Sequence, residues 1–421
     1  MIGQTQVKCA DCNGTYASDT SLSTCSSCSG LLSVEHDPDT ATLKQLFDNR
    51  ATKIGVGSTA RERSGVWRFR DIVLDASDDA IVSHPEGNTP LLRREAVAAY
   101  AGVNGLLIKH EGHNPTGSFK DRGMTVALTQ ARRIGARAVA CASTGNTSAS
   151  LSAYAAHAGI PSFVFVPEGQ VAGGKLAQTV AYGARTLRIR GDFDDCLRLA
   201  RDASDKLGVY LVNSVNPFRI EGQKTIMLEL LQQLEWNAPD WIALPAGNLG
   251  NTSAFGKALV EAHRWGLINS IPRLLAVQAS GAAPFAQSFA NHFAERISVR
   301  AETRATAIRI GDPASWDRAV RAIEATNGVV ESVTDDEIFA AKAVIDQCGV
   351  GCEPASAASV AGVRALAARG VIHRDERVVA VLTGHLLKDP GGGPESDNTA
   401  LTTDEALTLL ERTVATAPNR R

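Results

Sequence analysis

Lys120 is placed where a lysine amine could take part in covalent chemistry. It directly follows Gly117-Ser-Phe119 and opens a helical pattern that reads Asp121-Arg-Gly-Met124. The positive end of a helix dipole disfavours a second positive charge. This position therefore favours the neutral amine, the form that condenses with an aldehyde. Most Lys-Asp pairs are simply exposed to solvent. Here the turn residues Asn114-Pro-Thr-Gly117 before Lys120 favour a chemical function for the lysine. Lys120 is a candidate anchor for an aldehyde cofactor.

A glycine-rich loop offers a binding place for a phosphate. Gly247-Asn-Leu-Gly-Asn251 follows an apolar run and precedes a helical pattern. Its two glycines let the backbone turn tightly, and consecutive N–H groups together with the next helix dipole can hold a dianion. Such a loop alone is more often an ordinary tight turn. Paired with Lys120, it indicates a site for pyridoxal phosphate, whose aldehyde the lysine would hold as a Schiff base.

Two further turns place polar groups at the ends of predicted strands. Ser143-Thr-Gly-Asn-Thr147 supplies hydroxyl, amide and N–H donors, and its Gly-Asn-Thr-Ser-Ala portion recurs at Gly250-Asn-Thr-Ser-Ala254. Backbone N–H groups at a helix start suit an anion or a hydrogen-bonding ligand edge. Thr383, in Val381-Leu-Thr-Gly-His385, ends a strand with a hydroxyl that could meet a pyridine nitrogen. These turns are predicted to serve the same cofactor.

Four of the eight cysteines have the spacing of a metal site. Cys9, Cys12, Cys25 and Cys28 form two C-x2-C pairs separated by twelve residues. This pattern is typical of zinc ribbons, in which four thiolates bind Zn²⁺ tetrahedrally. Four protein ligands leave no open coordination position, so the predicted zinc is structural; a redox dithiol pair is the alternative. The remaining four are expected to be small buried apolar groups: Cys141, Cys196, Cys348 and Cys352.

Length and composition are those of a soluble enzyme with two or three domains. The chain has 421 residues, of which 44% are hydrophobic, and a net charge of −2. That charge argues against a nucleic-acid surface, because such surfaces are strongly basic. No apolar run approaches the roughly 18 residues that span a bilayer, and the first residues lack the apolar core of a secretory signal. We therefore expect a cytoplasmic protein with reduced cysteines.

Short apolar runs alternate with helical patterns from about residue 106 onward. Such alternation is typical of buried parallel strands joined by crossover helices, so the sequence predicts an α/β protein with two sheets. In these sheets ligands bind where loops leave the carboxyl ends of the strands. Strands are predicted at 106–109, 138–142, 161–166, 185–189, 241–245, 274–278 and 377–382. Helices are predicted at 147–158, 193–207, 220–234, 335–348 and 356–368.

The carboxyl-terminal tail breaks this alternation. Residues 390–396, Pro-Gly-Gly-Gly-Pro-Glu-Ser, are typical of a flexible linker. Thr402-Thr-Asp-Glu405 is a capping-box pattern ahead of an apolar stretch and predicts a short helix. The sequence does not decide whether this helix packs on its own domain or on a partner subunit.

Taken together, the motifs resemble the threonine synthases, which belong to the fold type II pyridoxal-phosphate-dependent enzymes, like the tryptophan synthase β subunit. The likeness runs from Glu86 to Pro390 and covers about three-quarters of the chain. Its most specific segments are Asn114-Pro-Thr-Gly-Ser-Phe-Lys-Asp-Arg-Gly123, Ser143-Thr-Gly-Asn-Thr-Ser148, Asn213-Ser-Val-Asn-Pro-Phe-Arg219, Gly247-Asn-Leu-Gly-Asn251 and Glu353-Pro-Ala-Ser-Ala-Ala358. Many members also carry an amino-terminal cysteine-rich ribbon. Leu249 and Leu386 depart from the common residues without removing a polar group, so altered packing with preserved chemistry is expected.

The resemblance implies a two-lobed, tryptophan synthase β-like fold with parallel-rich sheets and an amino-terminal zinc-ribbon-like segment. The ribbon is expected at 1–36 and the catalytic domain at 37–421. Within that domain the large lobe is expected at 37–120 and 223–388, and a smaller mobile lobe at about 121–222. The linker and final helix take up 389–421. A homodimer is the family expectation.

The resemblance also implies a role for each site residue. Lys120 would hold the cofactor and later move protons. Cofactor contacts would come from Lys120, Asn146, Gly247, Asn248, Leu249, Gly250, Asn251 and Thr383. Of these, Asn146 would meet the pyridoxal 3′-oxygen, the 247–251 loop the phosphate, and Thr383 the pyridine nitrogen. Ser143 and Thr144 would hold the substrate carboxylate, and Thr147, Ser214, Arg219 and Asn248 the substrate's own phosphate. The planar fork of Arg219 suits a phosphate; an ordinary surface arginine at a helix start is the alternative.

The implied reaction converts O-phosphohomoserine and water to threonine and phosphate by γ-elimination and β-addition of water. Within the same fold, a threonine or serine dehydratase and a cysteate-synthase-like enzyme acting on phosphoserine are the alternatives. A dehydratase has no use for the 213–219 motif, and the 247–251 loop favours a threonine synthase over the cysteate-synthase-like enzyme. An inactive homologue whose ribbon contacts protein or RNA is a different class. The intact Lys120, Asn146 and Thr383 argue against it.

Overall fold

The computed structural model describes residues 5–52, 55, 58–168, 176–191, 193–390 and 402–416. Its strands are β1 Gln6–Cys9, β2 Thr15–Tyr16, β3 Leu32–Glu35, β4 Leu91–Arg93, β5 Gly105–His110, β6 Val139–Ala142, β7 Ser162–Pro167, β8 Arg185–Ile189, β9 Tyr210–Leu211, β10 Trp241–Pro245, β11 Arg273–Ala279, β12 Val329–Val333 and β13 Arg377–Leu382. Its helices are α1 Thr40–Thr52, α2 Ala60–Arg63, α3 Glu95–Ala101, α4 Lys120–Arg133, α5 Asn146–Ala158, α6 Ala177–Ala181, α7 Phe193–Leu207, α8 Pro217–Gln233, α9 Gly250–Arg264, α10 Pro284–Ala290, α11 Trp316–Ala325, α12 Asp335–Gln347, α13 Pro354–Ala368 and α14 Thr403–Thr416. Short 3₁₀ turns occur at Trp67–Ile72, Glu111–His113, Ser280–Ala282, Thr306–Ile308 and Leu386–Lys388.

Two sheets form the centre of the protein, as the sequence predicts. The larger has the order β12-β11-β10-β13-β5-β4, and the smaller has the order β8-β7-β6-β9. Neighbouring strands run parallel except β4 and β5. Strand β10 is buried at every residue, which explains why it reads as an unbroken apolar run. Because parallel strands end at one edge of a sheet, the loops after β5, β10 and β13 meet at the same place.

The seven predicted strands and five predicted helices are confirmed, with ends that differ by three residues at most. Two of the strands absent from the prediction are very short, β4 and β9. Strand β12 lies at the edge of the larger sheet and is only partly buried. Edge strands keep polar residues on their open side, so they lack the apolar run that marks a central strand.

Helices α4 and α8 cross where both carry a glycine, and this crossing positions two residues of the predicted site. A Cβ atom on Gly222 would overlap the backbone carbonyl of Arg122, and one on Gly123 would lie 3.0 Å from the Arg219 carbonyl oxygen. Only glycine lets the backbones approach this closely. The close approach brings together the amino-terminal turns of the two helices, from which Lys120 and Arg219 project.

A buried ion-pair network fixes the start of α4 against α8 and β5. The Arg122 guanidinium bonds to Glu111 at 2.7 Å and to Glu229 at 2.8 Å, and the Lys109 amine lies 2.6 Å from Glu229. Burial alone would raise the pKa of Glu229, but the cations of Arg122, Lys109 and Arg68 hold that pKa well below its usual range. Removing one partner of a buried pair leaves an uncompensated charge. Glu111 and Arg122, from the segment that contains Lys120, therefore anchor the scaffold.

An antiparallel ribbon of order β2-β1-β3 precedes the catalytic sheets. Its apolar interior includes Val7, Leu32 and Val34, which are fully buried. Such a small interior is rarely sufficient to hold a fold by itself.

The contacts divide the chain into a unit of residues 1–390 and a unit of residues 391–421. In the second unit, the capping box is confirmed: Glu405 N–H donates to the Thr402 hydroxyl, and Thr402 N–H donates to the Glu405 carboxylate, ahead of α14. The linker predicted at 390–396 lies outside the described residues after Pro390. In the part of the chain that is described, no helix combines the length and the apolar character needed to cross a membrane.

Candidate active site

One cleft of about 2130 Å³ lies between the carboxyl ends of the strands in the two sheets. Its walls bring together all the catalytic, cofactor and substrate residues expected from the sequence: Lys120, Ser143, Thr144, Asn146, Thr147, Ser214, Arg219, Gly247, Asn248, Leu249, Gly250, Asn251 and Thr383. These residues come from positions 120 to 383 of the chain, so only folding unites them.

Lys120 is the first residue of α4 and projects into this cleft. Burial, followed by the nearby Arg219 cation, lowers the pKa of its amine to about 7, and the Glu353 carboxylate acts in the opposite direction. The sequence predicts a neutral amine because of the helix dipole. The neutral form is indeed favoured, but the main cause is loss of water around the amine.

Asp121 is not the solvated partner of Lys120 that a Lys-Asp pair usually indicates. It is fully buried, and it accepts hydrogen bonds from the Thr116 N–H and hydroxyl and from the Ser150 hydroxyl, at 2.6–2.7 Å. Burial outweighs these bonds and raises the pKa of Asp121 to about 6. The Asp121 carboxyl therefore ties the Thr116 turn to α5 and holds the backbone on which Lys120 stands.

The loop 247–251 has the geometry of an anion cradle. A Cβ atom on Gly247 would lie 3.1 Å from Ile308 Cα, so a larger residue would push the loop away from its support. Leu249 adopts the left-handed conformation, with φ of 62°, which is uncommon for a residue other than glycine and is often found at functional sites. The loop leads directly into α9, whose first N–H groups have no intrahelical acceptor.

Two polar side-chain atoms at the end of this loop lack a hydrogen-bond partner in the described part of the chain. Among the described residues, Asn251 Nδ2 and Thr252 Oγ1 are buried without a hydrogen-bond partner. The amide of Asn248 is held from both sides, since it donates to Ser214 Oγ at 3.1 Å and accepts from Ala314 N–H at 2.7 Å. Buried polar groups are normally paired. An anionic ligand in the cradle, such as the phosphate of pyridoxal phosphate, fits this donor set.

Asn146 and Thr383 meet at Glu353, a residue to which the sequence analysis gave no role. Asn146 Nδ2 donates to Glu353 Oε2 at 2.9 Å, and the Thr383 hydroxyl lies 3.4 Å from Glu353 Oε1 and 3.0 Å from Ser356 Oγ. Burial raises the pKa of Glu353, although Asn146 and the nearby lysines oppose this. A Cβ atom on Gly384 would lie 2.5 Å from the Glu353 carboxyl carbon. Gly384 therefore makes room for this carboxyl.

Glu353 begins one of the segments that carry the family resemblance, but the sequence alone assigns its carboxyl no role. It precedes Pro354 at the start of α13, where an acidic residue is commonly explained by the helix dipole. Its function in the cleft depends on β13 and α5 lying beside that helix start.

We expect Glu353→Gln to lower kcat by about 10-fold to 100-fold, because a hydrogen bond to a charged group is worth about 1.5–3 kcal/mol. The amide preserves the size of the side chain but replaces one acceptor with a donor. Steady-state kinetics and a thermal unfolding curve check this together. An unchanged kcat in a variant with wild-type Tm would show that turnover does not need the carboxyl.

Arg219 is a buried cation in the cleft wall. It is 1% exposed, its Nη1 donates to the Val212 carbonyl oxygen at 3.0 Å, and its Nε has no partner. Within the described residues, no carboxylate forms an ion pair with it. Burial lowers the pKa of Arg219 to about 10. An unpaired buried charge is costly, so the site is complementary to an anion; the surface-arginine alternative is wrong.

The other polar groups expected to hold the substrate lie around Arg219 and Lys120. Ser143 Oγ accepts from Gly145 N–H at 3.3 Å, which shapes the turn before α5. A Cβ atom on Gly145 would meet no atom within 4 Å, so this turn faces open space in the cleft. Ser214 is engaged by Asn248, which links the 213–219 segment to the glycine loop.

The four ribbon cysteines converge as their spacing predicts. The Sγ atoms of Cys9, Cys12, Cys25 and Cys28 all lie within 4.8 Å of one another, and two of the Sγ–Sγ distances are 3.5 Å. Tetrahedral zinc with Zn–S bonds of about 2.3 Å places its ligands about 3.8 Å apart, so the thiols fit such an ion. The Tyr16 hydroxyl donates to Cys25 Sγ at 3.0 Å. Residues around a metal site commonly orient its ligands through such hydrogen bonds.

Comparison with known proteins agrees with this site. Residues 82–384 match the family model described as "Pyridoxal-phosphate dependent enzyme". The chain is 45% identical over 386 residues to the threonine synthase of Methanosarcina acetivorans, covering 91% of this chain and 92% of that protein. It is 49% identical over 324 residues to the threonine synthase of Mycobacterium tuberculosis, covering 76% and 88% respectively.

Solved structures support the fold. A threonine deaminase isoform 2 from Solanum lycopersicum matches with a TM-score of 0.62 at 20% identity, over 77% of this chain and 88% of that chain. Maize serine racemase matches with a TM-score of 0.61 at 20% identity, over 78% and 93%. These identities are low, so they bear on the fold alone. From the family model and the closely similar relatives, the chain belongs to the pyridoxal-phosphate-dependent enzymes and, among them, to the threonine synthases.

Proposed function

We propose that this protein converts O-phosphohomoserine and water to threonine and phosphate, with pyridoxal phosphate held at Lys120. The observation that carries the proposal is one cleft in which the 247–251 loop and the buried cation of Arg219 accompany a lysine of lowered pKa. The 247–251 loop suits the cofactor phosphate, and Arg219 suits a second phosphate on the substrate. The relatives named threonine synthase support the same reaction.

Each cofactor contact has a physical reason. The N–H groups of the 247–251 loop and the start of α9 would bind the cofactor phosphate. Asn146 would donate to the 3′-oxygen, and the Thr383 hydroxyl would face the pyridine nitrogen. A hydroxyl there, unlike a carboxylate, leaves that nitrogen less strongly protonated. When bound, pyridoxal phosphate supplies an electron sink that makes loss of the substrate's α-proton possible.

Lys120 would act as the base and acid of the reaction. The pKa of the Lys120 amine is about 7. A group with a pKa near the working pH both accepts and returns protons efficiently. The free Lys120 amine could take the substrate's α-proton and later return a proton. The Thr116–Asp121 hydrogen bonds fix the backbone at Lys120. Only the side chain therefore has to move when the amine transfers a proton.

Arg219 and its neighbours would bind the substrate phosphate until the Cγ–O bond breaks. Thr147, Ser214 and Asn248 supply neutral donors around the guanidinium, and Ser143 and Thr144 would hold the substrate carboxylate. Water must be kept out until the phosphate has left, which requires a closing wall. We assign that movement to the smaller sheet within the lobe predicted at about 121–222, because the ion pairs of Arg122 hold α4 and α8 in place. A homodimer, a cytoplasmic location and zinc at the four cysteines are further parts of the proposal.

The experiment is a product analysis with two phosphorylated substrates. The purified protein with pyridoxal phosphate should release phosphate from O-phosphohomoserine and form an equal amount of threonine. With O-phosphoserine, we expect at least about 100-fold lower kcat/KM, because the shorter chain misplaces a phosphate that is held by charge-assisted bonds. Preference for O-phosphoserine would overturn the proposed reaction.

A further inference from the structure

The ribbon lines the same cleft as Lys120, although its cysteines lie outside the predicted site. Ser21, Leu22, Ser23 and Thr24, from the segment between the two cysteine pairs, contribute to the cleft wall, as do Ser29 and Leu31 just after Cys28. Ser21, Leu22, Thr24 and Ser29 are exposed. Ribbon side chains therefore face the open space of the cleft.

One attachment ties this segment to the helix that begins with Lys120. Gln130, near the end of α4, is fully buried. Its Nε2 donates to the Ser18 carbonyl oxygen at 2.9 Å and to the Thr20 carbonyl oxygen at 3.2 Å. Residues 18–20 are thus held against the catalytic domain through their backbone oxygens. This attachment depends on the backbone conformation of the segment and not on its side chains.

A second attachment ties the end of the ribbon to the helix that carries Arg219. His36 Nε2 lies 2.8 Å from Glu221 Oε2, two residues after Arg219 on α8, and both side chains are buried. Glu221 also pairs with Lys224 at 2.6 Å and with Lys257. The Lys257 amine in turn donates to the Val34 carbonyl oxygen. The ribbon is consequently built into the unit that contains the cleft.

Within the ribbon, the backbone hydrogen bonds of the 18–31 segment gather around its cysteine pair. Cys25 N–H donates to the Gly30 oxygen at 2.8 Å, Ser29 N–H donates to the Cys25 oxygen at 2.9 Å, and Leu32 N–H donates to the Ser23 oxygen at 3.3 Å. Small four-cysteine domains are generally folded by their metal. We therefore expect the shape of this wall to depend on an ion bound by the four thiolates.

We propose that the metal-loaded ribbon is a working wall of the active site, and that its segment Ser21–Thr24 determines access and fit for the phosphorylated substrate. Because this segment lines the same cleft as Lys120 and Arg219, a substrate bound beside those two residues lies in the space that the segment bounds. This inference rests on the proposed function, because it takes a phosphorylated amino acid as the substrate.

The test compares two serines of the ribbon, of which only one faces the cleft. Ser21→Trp adds bulk in the cleft wall, and Ser27→Trp adds the same bulk between Cys25 and Cys28, outside the cleft lining. Both variants should retain wild-type zinc content. We expect Ser21→Trp to raise the KM for O-phosphohomoserine about 10-fold or more, equivalent to about 1.4 kcal/mol. Ser27→Trp should stay close to wild type.

A measurement that needs no turnover accompanies the kinetics. In the zinc-loaded holoenzyme, hydrogen exchange of residues 18–24 should slow when threonine and inorganic phosphate are added together, and Gln130→Ala should remove much of that protection. Equal KM values for both tryptophan variants and wild type, or exchange at 18–24 that does not respond to the ligands, would overturn the ribbon proposal. Wild-type protein without activity on O-phosphohomoserine would instead overturn the proposed function, and the exchange result would still be readable.

Discussion

Lys120→Ala is expected to abolish threonine formation and to remove the visible absorbance of the bound cofactor. Loss of the acid–base function alone lowers rates by roughly 10²–10⁴-fold, and loss of the covalent anchor adds to this. Among the described residues, Lys388 is the other lysine in the cleft wall, and its amine is held by the Thr116 carbonyl oxygen at 3.1 Å and by Gln178, so we do not expect it to replace Lys120. Absorbance spectra of the purified protein and a phosphate-release assay measure the two effects.

Lys44→Ala is the control, because Lys44 is exposed on α1 and does not line the cleft. It should leave both spectrum and rate unchanged. A Lys120→Ala protein that keeps the wild-type absorbance would place the cofactor on another residue and contradict the assignment.

Arg219→Lys is expected to lower kcat/KM for O-phosphohomoserine by about 10-fold to 150-fold. The change preserves the positive charge but removes the planar fork, and hydrogen bonds to charged groups are worth about 1.5–3 kcal/mol. Inhibition by inorganic phosphate should weaken by a similar factor, since the same guanidinium would bind it. Initial rates at several phosphate concentrations give both numbers.

Arg364→Lys serves as the matched change outside the cleft, where the guanidinium stacks on Tyr100 with 4.4 Å to the ring centroid. Its kinetics should equal those of wild type. Reduced turnover in Arg219→Lys together with unaltered phosphate inhibition would assign Arg219 a structural role, and the Tm of the variant would report the size of that role.

The features that sequence could predict are those encoded locally. The central strands are buried on both faces and read as apolar runs, as β10 does. The turn at residues 247–251 is encoded by its glycines, and the cluster of four thiols by the spacing of Cys9, Cys12, Cys25 and Cys28. Lys120 was recognisable because its neighbouring residues form an unusual turn at a helix start.

The features that sequence could not predict depend on contacts between distant segments. The function inferred for Glu353 arises only where α13 begins beside Asn146 and Thr383. The low pKa of Lys120 comes mainly from burial, which the tertiary structure determines, and only the direction was foreseeable. Docking of the ribbon through Gln130 and His36 joins residues far apart in the chain, and neither residue carries a motif.

The central claim is that phosphate leaves by cleavage of the Cγ–O bond and that water then enters at Cβ. Turnover of O-phosphohomoserine in H₂¹⁸O, followed by mass spectrometry of both products, tests it most directly. The account predicts one ¹⁸O atom in the hydroxyl of threonine and none in the released phosphate. Labelled phosphate together with homoserine would mean P–O hydrolysis by an ordinary phosphatase reaction, and would contradict the account.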